Sequence, residues 1–200
     1  MILPGKVRRN YEANRRTDTA SAADERGMLN GQGRPELARL RFGYADVGRA
    51  GCESIAVYNA LRLLGIPQPL PEIIRDMEKG GYLRMGGLLG AAPYFEPLLR
   101  RFGARSRVVA PGRLRREDLA GTDRSGEVYL MVIWNRRWFL HKGLHTFTAL
   151  RTPEGWEVFN RFNSDAHSRC YHRLDDILRN GYHTGAFLVI YRVCKWEARA

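Results

Sequence analysis

Lysine is scarce in this chain of 200 residues: four lysines stand against 29 arginines, within a formal net charge of +12. Such a charge favours acidic partners in general. The arginines are spread over the whole length rather than striped on one element, which argues against nucleic acid as the main partner. Cysteine is scarcer still. Cys52, Cys170 and Cys194 are few and odd in number, which excludes a disulfide framework. They also lack the paired spacing of a zinc site. Only Cys170, within His167-Ser168-Arg169-Cys170-Tyr171-His172, has histidines at ligand spacing, and a polar loop entering a strand accounts for that segment without a metal. No run approaches the ~20 apolar residues of a membrane span, and the beginning has no apolar stretch of secretory type. A soluble, cytoplasmic protein is the expectation. Gly86-Gly87-Leu88-Leu89-Gly90 lacks the Gly-Lys-Ser/Thr ending of a phosphate loop, so it offers no nucleotide cradle. Neither a metal nor a cofactor is called for.

What is present has two textures. Residues 1–40 are polar and broken by glycine, with few large apolar side chains, and read as a flexible or draped N-terminal extension. A short helix near Glu36–Leu40 leads into the main domain, 41–200. There the first half is helical: a helix from Cys52, a second over Pro69–Lys79 and a third over Ala91–Arg101. The second half is strand-like, with runs at Ser106–Ala110, Glu127–Trp134, Leu144–Arg151, Trp156–Phe162 and Ala186–Val193, and a short helix over Leu174–Arg179. Helices first and a mostly antiparallel sheet after them make an α+β domain.

The helix that opens at Cys52 organises the rest. Gly51 precedes it, Ile55, Ala56, Leu61, Leu63 and Leu64 give it a buried stripe, and Gly65-Ile66-Pro67 stops it. Cys52 therefore lies in the first turn, where unpaired N–H groups and the positive end of the helix dipole favour a thiolate. Glu53 pulls the other way if it turns toward the sulfur. An ordinary buried cysteine is the competing reading, because free cysteine packs like a small hydrophobe.

Thr152-Pro153-Glu154-Gly155 closes a hairpin between two of the strand runs. Its register sets residue 145 opposite 162 and 147 opposite 160. His145, Phe147 and Ala149 then share the more apolar face with Trp156, Val158, Asn160 and Phe162. His145 and Asn160 become diagonal neighbours, close enough for their side chains to bond. A cysteine at a helix start, a histidine on a strand and an amide to orient it form a nucleophile, a base and an orienter.

The stretches Gly51-Cys52-Glu53-Ser54-Ile55-Ala56-Val57-Tyr58-Asn59-Ala60-Leu61, Gly86-Gly87-Leu88-Leu89-Gly90, Gly143-Leu144-His145-Thr146-Phe147 and Val158-Phe159-Asn160 resemble the papain-like cysteine peptidases, nearest the bacteriocin-processing, double-glycine-leader branch. The resemblance spans roughly residues 40–193. It implies a papain-like fold, with Cys52, His145 and Asn160 as the catalytic set and a peptide or protein as substrate. That family usually carries a glutamine six residues before the cysteine as oxyanion-hole donor. Here the position is Asp46, and an ionised carboxylate cannot donate.

The leading expectation is a cysteine peptidase, or a related thiol acyl-transfer hydrolase, cleaving a peptide or isopeptide amide. A catalytically silent papain-like domain that binds peptides in the same cleft is the alternative. A basic nucleic-acid-binding protein with incidental cysteines is a third.

Overall fold

In a computed structural model, residues 2–87, 94–137, 140–180 and 183–196 are described. Helix α1 (Pro4–Arg15) comes first, started by a proline at its first position, where a missing N–H costs nothing. A one-turn helix α2 (Pro35–Ala38), two two-residue strands β1 (Arg41–Phe42) and β2 (Ala45–Asp46), and a one-turn helix α3 (Val47–Ala50) lead to α4 (Cys52–Leu63). Then follow α5 (Leu70–Lys79), α6 (Glu96–Arg101), β3 (Ala104–Val109), α7 (Pro111–Leu119), β4 (Val128–Arg137), β5 (Leu140–Thr152), β6 (Gly155–Phe159), β7 (Arg169–Tyr171), β8 (Arg179–Asn180) and β9 (His183–Lys195).

The fold is α+β. One antiparallel sheet runs in the order β3-β9-β4-β5-β6-β7, with β8 paired to β9. The β5–β6 hairpin has the register its turn implies: Thr152 faces Gly155, and the ladder continues to Thr148 opposite Phe159. Alternation along the strands then creates two apolar layers. On one face Val128, Leu130 and Val132 of β4 meet Ile55, Ala56 and Ala60 of α4 in a core shared with α5 and α6. On the other face Tyr129, Met131, Ile133, Phe147 and Trp156 pack with Leu114 of α7 and with Leu174 and Ile177 from a short 3-10 turn. Thr148 sits on the α4 face and donates its hydroxyl to the Ala56 carbonyl at 2.6 Å. Burial explains α4's sequence: all ten of its residues from Cys52 to Leu61 are buried. Gly51 is required at its start because a Cβ there would come within 2.7 Å of the Val47 backbone.

The few large apolar side chains of residues 2–40, the flexible or draped extension, are set in the core: Met28, Leu29, Leu37 and Leu40 are fully buried, and Leu29, Leu37 and Leu40 lie in the same core as α4. Polar side chains complete the attachment. Asn14 donates to the Arg41 carbonyl at 2.9 Å and accepts from the Arg41 amide at 2.7 Å. Asn10 donates to the Gly43 carbonyl and to Glu78, whose carboxyl is raised above its ordinary range by burial. The segment is draped, but it is draped into the core. The third helix, expected from Ala91, is described only as Glu96–Arg101; residues 88–93, with most of the Gly86–Gly90 motif, lie outside the described residues. No helix among the described residues is long and apolar enough to cross a membrane.

Candidate active site

Cys52 is the first residue of α4 and is 6% exposed. Its Sγ lies 3.2 Å from Oε2 of Glu53, itself buried, and the thiol donates to that carboxylate. The backbone amides of Thr146 and Glu53 pull the other way, each lowering the thiol's pKa. The balance is set by burial first and by the Glu53 charge second, and together they push the thiol well above its ordinary range despite those amides.

The Thr146 amide is accessible to the sulfur because β5 outruns its neighbour. The β5–β6 ladder ends at Thr148 opposite Phe159, so Thr146 lies beyond the end of the ladder. His145, also 6% exposed, is the preceding residue. One peptide unit thus connects His145 to the backbone amide that lowers the pKa of the Cys52 thiol. The structure brings Cys52 and the His145 segment of β5 together.

His145 is oriented, though not by the group expected. Its Nε2 lies 2.6 Å from the backbone carbonyl of Asn160. A carbonyl only accepts, so Nε2 carries the proton and, in a neutral ring, Nδ1 keeps the lone pair. The ring is neutral: burial above all, with the charge of Arg161 adding to it, lowers its pKa from 6.5 to about 4. Arg161 is a buried neighbour that the sequence did not single out. Its guanidinium donates to the Ile177 carbonyl at 3.0 Å, stacks over Phe147 and Phe162, and is itself lowered to about 10 by burial.

The Asn160 side chain goes elsewhere. The hairpin was expected to run on to Phe162, but Asn160 adopts φ +57° and ends β6. That left-handed turn, which asparagine tolerates better than other side chains, swings the main-chain carbonyl toward His145. The amide faces Gln32 instead: Oδ1 accepts from the Gln32 backbone N–H at 3.0 Å, and Nδ2 donates to Gln32 Oε1 at 3.3 Å. The Asn160 N–H donates to Asn30 at 2.8 Å. Asn160 holds the His145 ring through its backbone carbonyl, and its side chain fastens the N-terminal segment.

Asp46, the candidate for the oxyanion hole, has its side chain in a local cap. It is the N-cap of α3, its Oδ1 accepting from the Arg49 amide at 2.8 Å.

The segment around Cys170 forms the edge strand β7, where His172 Nδ1 faces the Glu154 carbonyl at 3.2 Å. Among the described residues no group of three His, Cys, Asp or Glu side chains is arranged to hold a metal ion. Comparison with protein-family models, curated proteins and solved structures finds no match to any of the three.

Proposed function

We propose that this protein is a papain-like cysteine hydrolase, a peptidase or a related thiol acyl-transfer enzyme of the kind that processes double-glycine leaders, acting on a peptide or isopeptide amide. One observation carries the reading: α4, which opens with Cys52, packs on β5, which carries His145, and the Asn160 carbonyl holds the ring with Nε2 protonated so that Nδ1 keeps the lone pair. The thiol proton passes to Nδ1 as sulfur adds to the substrate carbonyl. First-turn backbone N–H groups of α4 steady the oxyanion. The imidazolium returns the proton to the leaving amine, and water then hydrolyses the thioester with His145 again as base. An imidazole near pKa 4 is a weak base at rest, so the Cys52–His145 pair starts as thiol and neutral ring. Substrate binding must complete the activation.

That resting state favours one competing reading, a silent domain that binds peptides without cleaving them. A chloromethylketone or vinyl-sulfone probe separates the two. Hydrolase chemistry gives a single rapid adduct at Cys52 that His145→Ala abolishes. Labelling equally slow in wild type and His145→Ala supports the silent domain and ends the enzyme reading.

A further inference from the structure

On the far side of the sheet from β7, strand β3 forms the other edge, and a cavity of about 390 Å³ lies against it. Its lining includes four arginines, Arg100 of α6, Arg105 and Arg107 of β3 and Arg192 of β9, against one carboxylate, Glu96. The sheet register makes this crowding unusual. Arg107 stands directly opposite Arg192, and Arg105 opposite Cys194, so two guanidiniums share a cross-strand pair and a third is two residues along on the same face. Like charges directly opposed on a sheet destabilise it.

The one carboxylate is already occupied. Glu96 Oε2 accepts from the Ser106 amide at 2.5 Å and the Ser106 hydroxyl at 2.7 Å, and Oε1 accepts from Arg100 Nε at 2.8 Å. Against the upward push of partial burial, these bonds hold its carboxyl below the usual range. Arg192 pairs with Glu127, but Arg124 shares that carboxylate from 3.5 Å. Arg105 Nε is set on Cys194 Sγ at 3.2 Å. Trp196, 44% exposed, lies under Arg100 with 4.7 Å from guanidinium to ring centroid and flanks the cluster with a flat apolar surface.

The geometry points to a binding site for a phosphoryl group in this cavity, with the planar forks of Arg105, Arg107 and Arg192 converging on its oxygens. Guanidinium forks match phosphate geometry, and an anion between Arg107 and Arg192 turns a repulsive pair into a bridged one. The group could arrive as free phosphate or on an organic body, for which Trp196 offers a stacking face. Charge on an edge strand also guards against strand-to-strand aggregation, and this simpler role needs no ligand.

Calorimetric titration of the full chain with inorganic phosphate, pyrophosphate and AMP, at low and at physiological ionic strength, tests the site. Saturable one-site binding is expected, weakened at least about tenfold in Arg105→Ala/Arg107→Ala and hardly at all in Arg8→Ala/Arg9→Ala, which removes the same charge from α1. Arg105→Lys/Arg107→Lys keeps the charge, loses the fork and still binds more weakly than wild type, so the test survives if the alanine variant unfolds. AMP binding tighter than phosphate, with Trp196→Ala removing only that difference, identifies an organic body; equal affinity identifies free phosphate. Absence of saturable binding in wild type, or equal weakening by the α1 control, overturns the site and leaves edge protection as the explanation.

Discussion

Residues 2–40 and helix α4 contribute to the same core, but different forces hold them. Helix α4 is held by shape: Ile55, Ala56, Ala60 and Leu61 are fully buried in one apolar layer. The N-terminal segment is held largely by directed bonds. Asn59 of α4 accepts from the Leu29 amide at 2.9 Å and donates to the Leu29 carbonyl at 2.8 Å, satisfying both backbone groups of that residue. Asn14 does the same for Arg41, and Asn160 takes the amide of Gln32. A segment poor in large side chains can therefore be integral to a core, provided that asparagines satisfy its buried backbone.

The strongest way to break the comparison is to remove one side of it. Deleting residues 2–40 exposes the α4 and β6 surfaces they cover, and loss of cooperative thermal unfolding is expected by circular dichroism; a sharp transition in the truncated chain would return the segment to the status of an appendage. Next in size, Asn59→Ala and Ile55→Ala set a directed bond against a packed one. Ile55→Ala should cost about 2–5 kcal/mol by cavity formation. Asn59→Ala should cost a similar amount, at ~1–3 kcal/mol for each of the two backbone groups left unsatisfied. Denaturant midpoints of the two variants measure both.

The pH dependence of stability follows from His145. Its folded pKa, about 4, lies below the unfolded value of 6.5, so the unfolded state binds more protons between them. The stability that comes from burying the neutral ring is fully present above pH 6.5 and is lost as pH falls toward 4. The melting temperature should drop through that window, and His145→Gln should flatten the slope.

Glu53→Gln sharpens the electrostatics. It keeps the side-chain shape, removes the carboxylate 3.2 Å from Sγ and leaves burial unchanged. The Cys52 thiol should become more acidic than in wild type, and iodoacetamide alkylation at neutral pH faster by about tenfold or more, the equivalent of ~1.4 kcal/mol. Unchanged alkylation would mean that burial alone sets the thiol. The smallest effect belongs to Asp46→Ala, which removes a helix cap worth ~1 kcal/mol and should leave turnover and Cys52 labelling within twofold of wild type.

Much of this was legible from local pattern. The Thr152-Pro153-Glu154-Gly155 turn fixed the β5–β6 register, and the apolar stripe after Gly51 gave the bounds of α4 almost to the residue. Other features depend on distant chain. Alternation carries β6 through residue 162, and only the left-handed backbone of Asn160 stops it, exchanging the expected side-chain orienter for a carbonyl. Helices α1 and α7 present few apolar residues, three buried positions in α1 and Leu114 alone in α7, so periodicity does not reveal them. Hydrophobicity counts also miss Asn14, Asn30 and Gln32, whose burial depends on backbone partners far away in sequence.

The position of β9 governs how the chain can be made. β9 lies between β3 and β4, yet it follows every other strand in the chain. Until residues 183–195 emerge from the ribosome, β3 has no partner and β4 has a bare edge. The sheet cannot close before β9 is available: the core under α4 lacks Tyr191 and Val193, and the opposite core lacks Ile190. Folding is consequently governed by contacts of long sequence separation, slow to form and open to intermolecular pairing in the interval. The nascent protein has most need of a chaperone in the short time between the exit of β4 and the arrival of β9.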